Sequence, residues 1–187
     1  GPLEQYRGEL GSATVDGDGD GVSVSFSGFA TVRSRACCPI GSRAYYELTI
    51  EAMDKCPQFG FASEEFEHHR GFTSDGVGDD ADSWGFDGVR RLRWHVRPVK
   101  YACVWQEGDV IGLGCDLSAG KLHVSVNGDY DAPSGASFDV SPAESGSLHA
   151  AFTGQSGRVR CNLSGPFQHS PPGQGYLALA KVADGGG

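Results

Sequence analysis

Six histidines, six cysteines and twenty-four carboxylates give this chain the raw material for metal binding and acid–base chemistry, so their spacing decides what is available. Asp16-Gly-Asp-Gly-Asp-Gly21 has the form of the first half of a calcium-binding EF-hand loop. The complete loop needs an acidic residue at its twelfth position. Ser27 stands there with strand-like sequence around it, so the run reads as a solvated turn. Gly154-Gln155-Ser156-Gly157 approaches the G-x-S-x-G nucleophile elbow, which sits between a strand and a helix. Here the second glycine comes one residue early and a strand pattern follows. His68 and His69 are adjacent, and in an extended segment adjacent side chains point in opposite directions. No third ligand is spaced to join them, so they read as surface histidines.

The acidic stretch Glu64, Glu65, Glu67, Asp75, Asp79, Asp80 and Asp82 offers many carboxylates. A glycosidase needs two of them at a set separation, which a linear sequence does not specify, and charge for solubility accounts for them more simply. Arg90, Arg91, Arg93, Arg97 and Lys100, with Trp94 and His95 among them, are the residue types that grip phosphate and stack on bases. Spread along strands and a loop, they read as a counterweight to the acidic stretch before them. The cysteines, Cys37, Cys38, Cys56, Cys103, Cys115 and Cys161, contain no C-x-x-C pair and so lack the usual zinc spacing. Cys103, Cys115 and Cys161 occupy inward slots of alternating patterns, as small hydrophobes do. They are expected as free thiols in a reducing compartment, and Asn162-Leu163-Ser164 as a chance glycosylation triplet. No catalytic constellation, metal or cofactor is expected.

The elements that must position these residues are strands. Val22, Val24 and Phe26 alternate with serines; Tyr46, Leu48 and Ile50 alternate with Glu47 and Thr49; Ile111, Leu113, Cys115 and Leu117 are separated by Gly112, Gly114 and Asp116. Leu122, Val124 and Val126, and Val159, Cys161 and Leu163, repeat the pattern. The period is two rather than 3.6. About ten or more short strands separated by glycine, proline and Asx clusters, with no convincing helix, predict an all-β sandwich or barrel. Asn127-Gly128 after Leu122–Val126 predicts a two-residue hairpin turn, because both residue types tolerate positive φ. The stretch from Glu64 to Asp82 is long for a loop in a compact domain and is expected to be functional.

At 187 residues the chain is expected to form one domain with its own core. A net charge of −9 disfavours a nucleic-acid partner. No run approaches the roughly 18 apolar residues of a membrane helix, and no cationic start precedes an apolar stretch. No membrane association is expected, and the location is expected to be intracellular, most simply the cytoplasm. Gly1-Pro2-Leu3 has the form of a cleaved tag remnant.

The order of short motifs is more specific than any one of them. Phe26-Ser-Gly-Phe-Ala-Thr-Val-Arg-Ser34 leads to Tyr45-Tyr46-Glu47-Leu48-Thr49-Ile50, then Gln58-Phe59-Gly60-Phe61-Ala62, then Gly76 through Trp84-Gly-Phe86-Asp87-Gly88. Trp94-His95, Trp105-Gln-Glu-Gly108-Asp109-Val110-Ile111-Gly112, Asp116-Leu117 and Leu122-His-Val-Ser-Val-Asn127-Gly128 follow. Val159-Arg-Cys-Asn162-Leu163, Pro166-Phe167, Pro171-Pro172 and Gly175-Tyr176 close the series. Over residues 22 to 177 this succession resembles the SPRY domain, the core of the B30.2 module.

The resemblance implies a bent β-sandwich of two antiparallel sheets, a SPRY domain over 21–180, an extension over 1–20 and a tail over 181–187. It implies a non-enzymatic module, monomeric as an isolated domain, that binds a partner protein or short peptide through loops at one end. It gives Trp84 and Phe86 the task of anchoring the long loop, Gly60 close backbone approach, Trp105 closure of one end, and Asp109 a turn cap. Peptide receptors of the family use a Tyr-Thr pair where this chain has Phe72-Thr73, and a Val-Trp-Gly where it has Phe152-Thr153-Gly154-Gln155. The location of the site therefore transfers, and its ligand does not. The expected partner-binding residues are Arg35, Arg70, Phe72, Thr73, Gly154 and Gln155, with the loop Ser34 to Ser42 as a third wall. A glycan-binding sandwich using Asp79, Asp80 and Trp84 is the alternative, and a membership in a larger scaffold, adaptor or ubiquitin-ligase-type protein is the expected setting.

Overall fold

The structure, a computed structural model, describes residues 1–6, 11–17, 21–70 and 73–185. In chain order the first strands are β1 (Leu3–Gln5), β2 (Ser12–Asp16), β3 (Val22–Ser27), β4 (Ala30–Cys38), β5 (Arg43–Ala52) and β6 (Gln58–Ser63). A small hairpin follows, β7 (His69–Arg70) and β8 (Thr73–Ser74), then β9 (Ser83–Asp87), β10 (Leu92–His95) and β11 (Arg97–Lys100). The second half holds β12 (Val110–Asp116), β13 (Lys121–Val126), β14 (Ala136–Asp139), the short helix α1 (Pro142–Ser145), β15 (Leu148–Gly154), β16 (Arg158–Asn162), β17 (Leu177–Ala178) and helix α2 (Leu179–Gly185). One sheet has the order β1-β4-β15-β6-β9-β10-β11; the other has the order β14-β13-β12-β5-β16-β3-β2, with β17 added parallel to the start of β5. The expected sandwich of two antiparallel sheets is the observed architecture.

Alternation explains how the sheets close on each other. Along β3 the buried residues are Val22, Val24 and Phe26 while Ser25 and Ser27 are exposed. β12 departs from this pattern because it is buried on both faces. Ile111, Leu113 and Cys115 point into the core. The intervening positions are glycines because other chain lies directly on them: a Cβ on Gly112 would stand 2.5 Å from the Tyr45 hydroxyl, and one on Gly114 would stand 2.6 Å from the Pro172 ring. The covering segment is held by Glu47, which is 1% exposed and accepts the Gln168 and His169 N–H groups at 2.9 and 3.0 Å. Phe167 meets the Tyr45 ring edge-on at 4.8 Å.

The other sheet is covered by the stretch expected as a long loop. Phe66 and Val77 pack on Ala62 and Ala151, forming a second apolar cluster outside the main core. Tyr6 joins it, its ring 5.0 Å from that of Phe66. His68, expected on the surface, is 1% exposed, because this segment crosses the sheet instead of looping into solvent. The expected extension over 1–20 supplies β1, paired with β4, and β2, paired with β3. The boundary expected at residue 180 falls within α2, whose Leu179 and Val182 are buried in the core. All six cysteines are free, and Cys103, Cys115 and Cys161 are buried. Asn127 and Gly128 adopt φ of 52° and 81°, the two-residue turn their types predict.

Gly60 and Asp109 serve as their motifs imply. Asp109 accepts the Gln106 N–H at 2.8 Å and the Asn127 side-chain amide at 3.1 Å. At Gly60 the constraint is severe, since a Cβ would lie 1.9 Å from the Trp84 carbonyl oxygen of the neighbouring strand. Gly60→Ala is expected to destabilise the fold by about 1–3 kcal/mol, as overpacking does. Urea unfolding checks this, and an unchanged midpoint would show that β6 and β9 separate freely.

Candidate functional site: the loop end of the sandwich

β4, β15 and β6 run side by side, and their register sets one end of the sandwich where Gly154 pairs with Ala30 and Thr153 with Gln58. The chain turns there through Gln155, Ser156 and Gly157 into β16. Two backbone bonds fasten this turn to its neighbour: the Gly28 N–H donates to the Gln155 carbonyl at 2.8 Å, and the Phe26 N–H to the Gly157 carbonyl at 2.9 Å. The turn's own amides converge on Asp54. This carboxylate, 8% exposed, accepts the N–H groups of Gln155 at 2.8 Å, Ser156 at 3.0 Å and Gly157 at 2.7 Å, and also that of Cys56 at 2.9 Å. A carboxylate has enough lone pairs for such a cluster, and bonds to an ionised acceptor are stronger than neutral ones.

A second network fixes the β7–β8 hairpin beside this turn. His68 Nδ1 lies 2.8 Å from the Thr31 hydroxyl, which lies 2.7 Å from the Thr153 hydroxyl. The Val77 N–H donates to that same Thr153 hydroxyl at 2.9 Å. The Asp75 N–H returns to the His68 carbonyl at 2.7 Å, closing the base of the hairpin. Phe29 lies against His68 at 5.2 Å between ring centroids. Asp79 then ties the exit of the hairpin to the sheet, accepting the Gly76 N–H at 2.7 Å and the Gln58 side-chain amide at 3.0 Å. Burial pushes the Asp79 carboxyl up, against the opposing pull of those two donors. Burial also holds the His68 imidazole below its ordinary value, outweighing the hydrogen bonds it makes.

The expected site residues divide across this geometry. Gln155 is exposed at the tip of the turn and Thr73 is exposed on the hairpin, paired in register with Arg70. Phe72 lies outside the described residues. Gly154 is buried: a Cβ there would meet the Phe26 ring at 2.4 Å, so this residue permits the packing of the turn and presents no surface. Arg35 is not brought to this end. Gly154 is opposite Ala30, and Arg35 stands five residues further along β4, where it binds the Gly1 carbonyl at 2.8 Å and Glu4 at 3.0 Å. The expected third wall fails for the same reason. β4 continues as strand through Cys37 and Cys38, and Cys38 pairs with Leu148, so the turn after it lies at the opposite end of the sandwich.

Sequence reasoning missed Asp54, His68, Thr31 and Thr153. Asp54 carried one available signal: an aspartate two residues before the amide it accepts, in Asp54-Lys-Cys56-Pro57, is the signature of an Asx turn. Nothing in the sequence announced its bonds to a turn a hundred residues away. Among the described residues no group of three or more histidine, cysteine or acidic side chains is placed to hold a metal ion.

Asp54→Ala is expected to cost roughly 1–3 kcal/mol, because the turn amides lose an ionised acceptor in a buried place. Hydrogen exchange should accelerate at Gln155, Ser156 and Gly157 more than in β15 or β16, and uniform acceleration would refute the assignment. The depressed His68 value has a defined sign. An unfolded histidine titrates near about 6.5, so the contribution of neutral, buried His68 is complete above that pH and is lost as pH falls toward its folded value. Stability should decline from neutral pH toward pH 5 and decline less in His68→Asn, as read by denaturant midpoints. His123, also held down by burial, adds to the slope in both proteins.

Comparison with known proteins adds the family to this geometry. The family model described as the SPRY domain matches residues 43–165, from the first residue of β5 to just past β16. Over 165 residues the chain is 34% identical to the E3 ubiquitin-protein ligase RKP of Arabidopsis thaliana, a stretch covering 88% of this chain and 10% of that protein. The chain thus spans about a tenth of the length of that relative. The crystal structure of the SPRY domain of human HERC1 is similar in fold, with a TM-score of 0.60, 14% identity, and coverage of 80% of this chain and 93% of that one. With a match across both sheets and both strands that flank the Asp54-bound turn, this chain belongs to the SPRY domain family.

Proposed function

We propose that this chain is a non-catalytic interaction module that captures a partner protein, or a short peptide segment of one, at the loop end of the sandwich. The observation that carries the reading is the Asp54 carboxylate gathering three consecutive turn amides, which leaves the Gln155 and Ser156 side chains exposed on a fixed backbone. A turn ordered before binding loses little entropy when a partner arrives. The hairpin beside it carries Thr73, and Arg70 and Phe72 stand just before Thr73 in the sequence. Phe72 supplies an apolar anchor and Arg70 a donor for a carboxylate or carbonyl of the partner. Arg35, tied to the N-terminal strand at a distance from these loops, has no part in this surface.

The proposed setting is a larger intracellular protein of the ubiquitin-ligase type, in which this domain selects what is brought to the rest of the chain. The similarity to a much longer ubiquitin-protein ligase supports that setting. As an isolated domain it is proposed to be monomeric.

Proximity labelling in cells with the wild-type domain, compared with Phe72→Ala and Arg70→Glu, tests the loop end. Both variants are expected to fold normally by thermal denaturation and to lose enriched partners by about tenfold, the scale of a binding hot spot. Retention of the same partners at the same level by both variants would move the interface off this end.

A further inference from the structure

A second surface lies along the side of the sandwich and differs from the loop end in chemistry. β11 is the last strand of one sheet and β14 the last strand of the other. Between them runs a groove composed of two adjoining depressions of about 450 and 500 Å³ that share Arg93 and Ser137. The register Arg93↔Val99 and His95↔Arg97 places these four residues on one face of the β10–β11 hairpin, toward β14. Lys121 enters from β13, and Lys100 extends the lining into the second depression.

The groove is positive on a chain whose net charge is −9. Four of its lining residues are Arg93, Arg97, Lys100 and Lys121, and its one carboxylate is Asp139, which pairs with Lys121. Among the described residues no carboxylate pairs with Arg97 or Lys100, and every residue of β11 is exposed. Arg93 is already oriented: it donates to the Ser137 carbonyl and lies over the Phe138 ring at 5.4 Å. Val99, 51% exposed, adds an apolar floor beside these cations.

We propose that this lateral groove binds an acidic, extended segment of a partner protein. Charge complementarity selects the occupant, since an anionic segment meets three cations here without having to displace a carboxylate. The face of the hairpin sets the form, because side chains on one face of a strand recur every second residue, about 6–7 Å apart. Arg97 and Val99 share that face, while Lys100 has the opposite parity and lines the second depression, so an extended peptide carrying several carboxylates spans the cations of both depressions. Two other occupants fit less well. A second copy of the chain would add a strand to the β11 edge, but Pro98 has no N–H to give and the copy would bring its own cations. Nucleic acid binds through base stacking on open aromatic faces as well as through phosphate, and the rings lining the groove are engaged: Phe138 lies under Arg93, Tyr101 is buried, and His95 stacks on Trp84. This inference stands apart from the loop end and does not depend on it.

Fluorescence anisotropy with the full chain tests it. The probes are a fluorescein-labelled eight-residue peptide alternating glutamate with serine, its glutamine–serine counterpart, and an eight-nucleotide oligothymidylate. Saturable, salt-sensitive binding of the glutamate peptide alone is expected. Arg97→Glu combined with Lys100→Glu is expected to weaken it by about tenfold or more, as reversal of paired charges does, with an unchanged melting temperature because both side chains are exposed. Phe72→Ala is expected to bind the peptide as the wild type does. Equal binding of the glutamate and glutamine peptides, equal binding by the charge-reversed variant, or tighter binding of the oligothymidylate than of the glutamate peptide would each overturn the proposal.

Discussion

A sandwich of short strands has many turns, and each turn leaves backbone amides that the sheets do not pair. A buried amide without an acceptor costs free energy comparable to a lost hydrogen bond. In this chain carboxylates supply a large part of the missing acceptors. Asp54 serves the turn after β15, Asp87 the N–H groups of Val89 and Arg90, Asp109 that of Gln106, and Asp116 those of Ser118 and Ala119. Asp79 and Asp80 serve the long crossing segment, and Glu47 holds the covering strap on the other face. Much of the acidic excess is therefore structural. It fastens the connections of the fold instead of merely keeping the surface soluble.

This assignment of the carboxylates gives the two surfaces their different characters. At the loop end Asp54 is turned inward onto amides, so the turn itself shows only the neutral side chains of Gln155 and Ser156. At the lateral groove the neighbouring acidic groups already have cationic partners. Asp87 is committed to Arg90 and its turn, and Asp139 to Lys121. The cations that the sequence places after the acidic stretch are only partly neutralised by it. Arg90 turns instead to Asp87, which lies beyond that stretch, bonding it at 2.6 Å and lying over the Trp94 ring at 5.1 Å. Arg97 and Lys100 sit on an edge strand, where charge and proline also discourage unwanted pairing between sheets.

The parts of the fold that were legible from sequence are those where local pattern and tertiary role coincide. Period-two alternation gave β3, β5, β12, β13 and β16, because one face of each meets the core. Asn127-Gly128 announced its turn, and the inward cysteines their burial. What was not legible depends on partners far along the chain. β4 does not end at Ser34, since Cys37 and Cys38 pair with His149 and Leu148 of β15, the neighbouring strand of the same sheet but far along the chain. The segment around Phe66 reads as a loop because a single phenylalanine stands among acids and histidines, yet Ala62, Ala151 and Tyr6 give that one ring a place to bury. His68 reads as a surface residue because its hydrogen-bond partner Thr31, and Thr153 beyond it, are equally unremarkable in sequence.

The family motifs and the candidate site are therefore carried by different residues. Gly60, Trp84, Phe86, Trp105 and Asp109 define the shell: Trp105 stacks on Phe59 at 5.1 Å, and a Cβ on Gly88 would stand 2.1 Å from the Trp105 ring. None of these residues faces a partner at the loop end or in the groove. A recognition surface can then change without disturbing the shell, provided the turn amides keep their acceptors. Thr153 shows how this works in one residue. It is fully buried, and it binds Thr31 and the Val77 amide. The buried hydroxyl locks the crossing segment to the sheet. On the proposed reading, specificity is carried by what the hairpin and turn display, and the strand end serves to position them.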